Sequence, residues 1–375
     1  MANDKDFILK NAVEVGGPTK VTLGTITSSD IDLSTGNYFS DTLTANTTYT
    51  ISNAGDVQSF QLEVTGGAIG YDLSAAAYDS VSFSVSAQES QPSGIFFKTD
   101  GTKMYIVGSS GDDVNEYNLS TAWDISTASY LQNFSVSSQD TLPNDIFFKA
   151  DGTKMYIVGN AGDAILEYNL STAWDVSTAS YLQSFSVSTQ DTGPSGVFFN
   201  PDGDKMYMVG SLGDDVHEYN LSTAWDISTA SYLQSFDVSG QDTAPQGVSF
   251  KPDGTKMYVL GNSGDDVNEY NLSTAWDIST ASYVQNFSVA TEDTSPLGIF
   301  FKPDGTKMYV VGSSGDAVFQ YSTGTGTTLT WPSSIEWAGG IAPAAPANGE
   351  TDVFTITTDD GGTTYTGVKT ADNLS

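Results

Sequence analysis

The chain has 375 residues, no cysteine, and a formal charge of −33 from 46 acidic residues against 13 basic ones, all of them lysine. This composition excludes disulfides and thiolate metal sites, and it argues against nucleic acid and anionic membrane surfaces as partners. With 19 Tyr, 19 Phe and 6 Trp the chain can bury a large core and does not read as disordered, and its apolar runs are too short to span a bilayer.

Residues 1–75 do not repeat. Phe7–Leu9 and Val13–Val15 flank a short polar break before a turn at Gly16-Gly17-Pro18. Val21–Leu23, Thr47–Ile51 and Ser59–Val64 read as further strands, the last ended by Gly66-Gly67. The opening Met1–Asp6 lacks the charged-then-apolar pattern of a secretion signal, which leaves release by lysis as one route out of a cell.

The middle of the chain is an array. The stretch that begins Asp100-Gly101-Thr102-Lys103-Met104-Tyr105 returns at Asp151, Asp202, Asp253 and Asp304, always 51 residues on. A fixed period of this size means a repeat architecture. In the second unit, Ile146–Phe148 is strand a, Asp151-Gly152 a tight turn, Lys154–Val158 strand b, and Asn160–Asp163 a second turn. Ile165–Asn169 is strand c, Ser171–Ala179 a longer connection, and Ser184–Ser188 strand d. Four antiparallel strands per unit describe a propeller blade. The first d strand, Ser82–Ser86, precedes every a strand. The expectation is therefore a five-bladed β-propeller over 76–322 whose fifth blade is made from both ends of the array, leaving no exposed edge.

Residues 323–375 do not repeat either. Thr328–Trp331 and Val353–Thr357 read as strands, separated by Pro332, Ile335–Trp337, Gly339-Gly340 and a Pro/Ala stretch over 341–346, and Asp359–Gly362 reads as a hairpin turn before Thr364–Gly367. The expected fold class is all-β. Residues 1–75 and 323–375 would form a small discontinuous β-sandwich-like anchoring module into which the propeller is inserted. Such an insertion needs the two ends of the inserted domain close together, and the shared fifth blade supplies that. The module would then attach on the c–d rim and leave the opposite rim free.

The repeat Pro-Ser-Gly-Ile-Phe-Phe-Lys followed by Asp-Gly-Thr-Lys-Met-Tyr resembles the P-D-G, YVTN-like family of propeller repeats, over roughly two thirds of the chain. That resemblance implies strand a at the central channel and strand d outermost. The Trp-Asp pairs at Trp123, Trp174, Trp225 and Trp276 lie in the c–d connection, not at the end of strand c as in a WD repeat. The flanks resemble virion proteins of marine bacteriophages. Asp6–Asn11 looks like the opening of their structural and fibre proteins. Leu329–Gly340, Pro343, Asp352–Phe354 and Asp360–Tyr365 look like a small β module of phage tail and virion surface proteins, with Leu43–Thr65 as its preceding segment.

Candidate sites lie on the free rim, where loops on a rigid scaffold usually carry binding. The b–c turns contribute Asp112, Asp113, Asp163, Asp214, Asp215, Asp265 and Asp266. The d–a loops contribute Gln139, Asp140, Gln190, Asp191, Gln241 and Asp242. Their oxygens suit Ca²⁺; hydrogen bonds from the carboxylates to turn backbone are the simpler account. The c–d Trp residues could stack on sugar rings, or pack each loop on the outer edge of its blade. Lys103 and its copies read as solvated. His217 has Asn115, Leu166, Asn268 and Phe319 at the equivalent positions and reads as a variable surface position, so a Ser-His-Asp arrangement has little support. Acids repeated in register lack the asymmetry that a catalytic carboxylate pair needs.

The function expected from these readings is structural. The chain would be a virion surface protein of the tail-fibre, tail-tip or capsid-decoration type, assembled in the host cytoplasm and released by lysis. Its propeller would face outward for attachment to a host-surface glycan or receptor. Its partners would be other virion proteins and copies of itself, a trimer suiting a fibre. Neither enzymatic activity nor a cofactor, Ca²⁺ aside, is expected. An inert decoration protein and a carbohydrate-active propeller enzyme are the alternatives.

Overall fold

A computed structural model describes residues 21–43, 45–338, 340–346 and 350–374. The apolar stretches Phe7–Leu9 and Val13–Val15, the turn expected after them and the Asp6–Asn11 stretch lie outside these residues. The chain divides into two compact units, one formed by Met1–Ala68 with Gly326–Ser375 and one by Ile69–Thr325.

The second unit is all-β, with repeating four-stranded antiparallel sheets of propeller-like type. In the second repeat the strands are Pro143–Phe148, Lys154–Gly159, Ala164–Leu170 and Ala179–Ser186, hydrogen-bonded in that order. The fifth sheet joins Pro296–Phe301, Lys307–Gly312 and Ala317–Ser322 to Ala77–Ser84 from the start of the array, with Val318 opposite Phe83.

The repeated Asp-Gly-Thr-Lys stretch explains how each sheet is turned and fastened. Asp151 Oδ1 accepts from the Thr153 N–H at 3.0 Å and its hydroxyl at 2.6 Å. Gly152 has φ +73°, and a Cβ there would meet the Trp174 indole at 2.4 Å. The position needs glycine for both its backbone conformation and its close neighbour. Trp174 itself has φ +66°, a costly conformation for a bulky residue. It is held there because its N–H donates to the Gly152 carbonyl at 3.1 Å and its own carbonyl accepts from Tyr105 of the preceding sheet at 2.7 Å. The same bond recurs from Tyr156 to Trp225, Tyr207 to Trp276, Tyr258 to Tyr71 and Tyr309 to Trp123. These tyrosines are buried, and burial together with nearby carboxylates pushes their hydroxyl pKa values up. They remain protonated donors.

Tyr71 stands where the other repeats have Trp. It has φ +62°, stacks on Phe301 and precedes Asp72, which accepts from the Ser74 N–H as Asp175 does from Ser177. The repeated unit therefore reaches back before residue 76. Its Tyr-Asp-Leu-Ser sequence has no Trp, which hid it within the leader.

Two expectations are corrected by the packing. Lys103 is not simply solvated: its ammonium pairs with Glu116, whose side chain is wholly buried. Glu116 also accepts from Gln132 at 2.9 Å and from the Val176 N–H of the next sheet at 3.2 Å. The Trp side chains do not lie on outer edges. Trp174 stacks over Phe148 and Phe96 of strand a in two successive sheets.

The first unit holds a five-stranded sheet in the order Tyr38–Thr42, Gln58–Thr65, Thr351–Thr358, Tyr365–Leu374, Ile335–Trp337. Gln58–Thr65 and Thr351–Thr358 pair antiparallel along their whole length. Its core gathers Phe39, Leu62, Tyr49, Trp331 and Phe354. The Trp331 indole N–H donates to the Pro343 carbonyl at 2.8 Å.

The Lys–Glu pair yields a stability test. Lys103→Met leaves the Glu116 carboxylate buried without its cation and is expected to cost about 3–5 kcal/mol in chemical denaturation. Lys98→Ala removes the half-buried partner of the exposed Asp100 and should change stability by about 0.5 kcal/mol or less.

Candidate functional site

Strand a brings one aromatic residue per sheet to a common centre, with one exception. Phe300, Phe96, Phe147 and Phe198 follow one another with ring centroids 5.1, 5.1 and 5.4 Å apart, each pair edge to face. The fourth sheet places Ser249 at this position. The ring thus has four phenyl corners and one small polar corner.

Side chains two residues apart on a strand share a face. Two residues before these positions stand Gly94, Asp145, Gly196, Gly247 and Gly298. The glycines are required by close approach: a Cβ on Gly298 would lie 3.0 Å from the Gly94 Cα, and one on Gly196 would lie 3.1 Å from the Gly247 Cα. Asp145 is the one side chain in this layer. Its Oδ2 accepts from the Val197 N–H of the next sheet at 2.9 Å, and its Oδ1 lies in the space that glycine leaves at position 94.

The phenyl rings and Asp145 line a cavity of about 270 Å³, with Trp225 and Trp276 also in its lining. No lysine lines it, and Asp145 is its one carboxylic acid. Asp145 is buried, and burial pushes its carboxyl up to about 7 although the Val197 and Ile146 N–H groups pull the other way. A carboxyl poised there can hold or release a proton near neutral pH.

None of the acidic and amide residues singled out from the sequence lines this cavity. They lie at the opposite ends of the strands, where they hold turns. Asp140 Oδ2 accepts from the Gly162 N–H at 2.8 Å, and Asp191 and Asp242 do the same for Gly213 and Gly264, both at 2.7 Å. Gln139, Gln190 and Gln241 accept from the hydroxyls of Tyr168, Tyr219 and Tyr270. Asp112, Asp163, Asp214 and Asp265 occupy the turn tips with φ between 47° and 56°. Asp113 and Asp266 accept from Asn115 and Asn268, each at 2.7 Å. Burial and neighbouring carboxylates push Asp214 up, and burial does so for Asp215 and Asp266. Among the described residues no group of three or more His, Cys, Asp or Glu is arranged to hold a metal ion.

His217 is not on the surface. It is 4% exposed between Met208 and Ser235. Burial lowers its pKa against the pull of Asp215 and Asp191. The signal for Asp145 was present in the sequence as the one acid at a position that is glycine in four repeats. Reading the acids by their regular recurrence passed over it.

No protein-family model and no curated protein matches this sequence. Among solved structures it is similar to a functionally unknown protein of Desulfotomaculum acetoxidans, at 14% identity over 59% of this chain and with TM-score 0.39; the match spans 65% of that chain. It is similar to a proposed 6-phosphogluconolactonase of Bacteroides uniformis, at 12% identity over 76% of this chain and 72% of that one, TM-score 0.39. The periplasmic gluconolactonase of Pseudomonas aeruginosa matches at 14% identity over 75% and 70%, TM-score 0.38. At these values the likeness concerns the β-rich repeat architecture and nothing finer.

The reading of the flanks as those of a phage virion surface protein is corrected here, and with it host attachment, the fibre and decoration roles and the absence of enzymatic activity. None of these structures is named as a virion protein, and two are named as lactonases. The physical reason lies in the first unit. Trp331, Trp337 and Phe354 pack on one another with centroids 4.7 to 5.8 Å apart, and Asp360 ties the hairpin by accepting from Thr363 and Thr364. These residues are accounted for as a β core and its turn, which any protein can use.

Asp145 gives a pH-dependent stability. Its carboxyl titrates near 3.8 when unexposed to the fold and near 7 within it. Below about pH 3 both states are protonated and there is no penalty. As pH rises from about 4 to 7 the unfolded chain ionises first and the fold loses about 1.4 kcal/mol per unit, up to about 4 kcal/mol. Asp145→Asn should therefore match the parent at about pH 3 and exceed it in stability above about pH 7, as read from denaturation curves across that range.

Proposed function

We propose that the five sheets close into a five-bladed propeller and that the cup at its axis is an enzyme site in which Asp145 moves the proton. Closure is supported by the Tyr-to-carbonyl bond at all five successions, including Tyr309 of the last sheet to Trp123 of the first. It is also supported by the contact of Phe300 with Phe96. The split module expected over 1–75 and 323–375 is taken as 1–68 with 326–375, since Tyr71 and Asp72 belong to the repeat, and it is supported as one module by the pairing of Gln58–Thr65 with Thr351–Thr358.

The observation that carries the enzymatic reading is a lone carboxyl, poised near pH 7, in the lining of a cavity with aromatic walls. Glycoside hydrolysis through two carboxylates needs a second acid about 5 to 9.5 Å away, and the cavity lining holds one. A single carboxyl suits addition of water to an ester or lactone. Asp145 takes a proton as the water oxygen bonds to the carbonyl carbon, and returns it to the leaving oxygen as the acyl bond breaks. The carbohydrate-active alternative finds no free aromatic platform in Trp225 and Trp276, since each indole lies against strand-a phenyl rings and covers a turn glycine.

The test is turnover of the full chain on chromogenic esters, sugar lactones and glycosides. Activity is expected to rise with deprotonation through about pH 7 and to fall by about 100-fold or more in Asp145→Asn, with the fold intact by circular dichroism. Turnover that survives in this variant, or no turnover on any of these substrates, overturns the reading.

A further inference from the structure

The contents of the cup narrow what it can hold. Its carboxylate has two backbone N–H donors and no cation. Buried carboxylates need a cation or hydrogen-bond donors; Glu116, Glu167 and Glu218 each have a lysine, whereas Asp140, Asp191 and Asp242 have turn N–H groups, and among the acids Asp145 is the one held by N–H groups that also lines the cup. Four phenyl rings stand above Asp145. In a near-regular pentagon the centre is closer to each corner than adjacent corners are to one another. A guest on the axis therefore lies nearer than the 5.4 Å ring spacing to all four centroids, inside the reach of about 6 Å for a cation over an aromatic ring. The carboxylate lies one layer below, about two residues of strand rise or roughly 7 Å down the same face. The cavity, at about 270 Å³, falls below the roughly 300–1,000 Å³ of drug-sized pockets. Its polar groups are few. Besides Asp145, the side chains of Ser249, Thr99 and Tyr71 and the two indoles are all that the lining offers, which is sparse for a ligand with many hydroxyls. The formal charge of −33 draws cations toward the molecule.

We propose that the cup takes a small organic cation of the methylated ammonium class, with its methyl groups against Phe300, Phe96, Phe147 and Phe198 and its charge facing Asp145. The Ser249 corner leaves room for one substituent of the ammonium to leave the ring, so that the guest has a fixed direction. This inference rests on the reading of the cup as the functional site and deepens it by naming the ligand class.

Calorimetric titration of the full chain tests it, with choline, its neutral isostere 3,3-dimethylbutan-1-ol, and glucose as probes. At pH 8.5 choline is expected to bind at least about tenfold more tightly than the isostere, a difference of about 1.4 kcal/mol. That margin should vanish in Asp145→Asn and at pH 5.5, where the carboxyl holds its proton. Ser249→Phe, which completes the ring, should abolish binding of both probes without lowering the thermal midpoint. If the isostere or glucose binds as tightly as choline, the cationic class is wrong and the cup stands as a site. If none of the three gives heat up to about 10 mM, well above the millimolar range of weak sites, the cationic class is overturned, and the reading of the cup as an enzyme site stands or falls on ester and lactone turnover alone.

Discussion

A single hydrogen bond, repeated from sheet to sheet, is what the second unit depends on. A buried tyrosine hydroxyl of one sheet donates to the main-chain carbonyl of an aromatic residue in the next. That carbonyl is available because the aromatic residue sits at positive φ, and positive φ is tolerated because the indole or phenol covers the glycine of the Asp-Gly turn. Turn, connection and neighbouring sheet are thus fastened at one point. Beside it a buried Glu carboxylate joins strands b, c and d of its own sheet to the first N–H of the next 3-10 turn. The fifth sheet keeps the ion pair with altered parts: Gln320 replaces Glu on strand c, and Asp79 on strand d meets Lys307.

Repetition of this kind yields rigidity and, by itself, no direction. Five like sheets offer the same groups five times over. A site that orients a small guest needs a departure from the repeat, and there are two on the face of strand a that carries the phenyl rings. Asp145 puts a carboxyl where the other sheets have glycine, and Ser249 opens a corner where they have phenylalanine. Both are buried, so both are costs to a purely structural array: an acid without a cation in one case and a gap in the aromatic packing in the other. Costs retained inside a core are where function is sensibly sought.

Much of the fold was legible in the residues. The 51-residue period, the Asp-Gly turns and the early d strand led to sheets that the structure contains, including the one assembled from both ends of the array. The strands at Tyr38–Thr42 and Asp30–Asp32 were not, since their alternation is short and diluted by Asp and Ser. Tyr71 was missed because it substitutes for Trp. The buried environment of Lys103 and of His217 was likewise not legible. A residue type on a strand states which face it occupies, and whether that face is covered depends on the neighbouring sheet.

The sequence alone determined the all-β class, the repeating unit, its turns and the strand borrowed from the start of the array. These follow from local rules: φ at glycine, period-two alternation and a count of strands. Which acids are spent on turns and which one lines the cavity was decided by tertiary structure. Asp140 and Asp145 are five positions apart, yet the first meets the N–H groups of an adjacent turn and the second meets the Val197 N–H of the next sheet, one layer below the phenyl rings. Burial and hydrogen-bond partners set the chemistry of a carboxyl, and both come from segments distant in the chain.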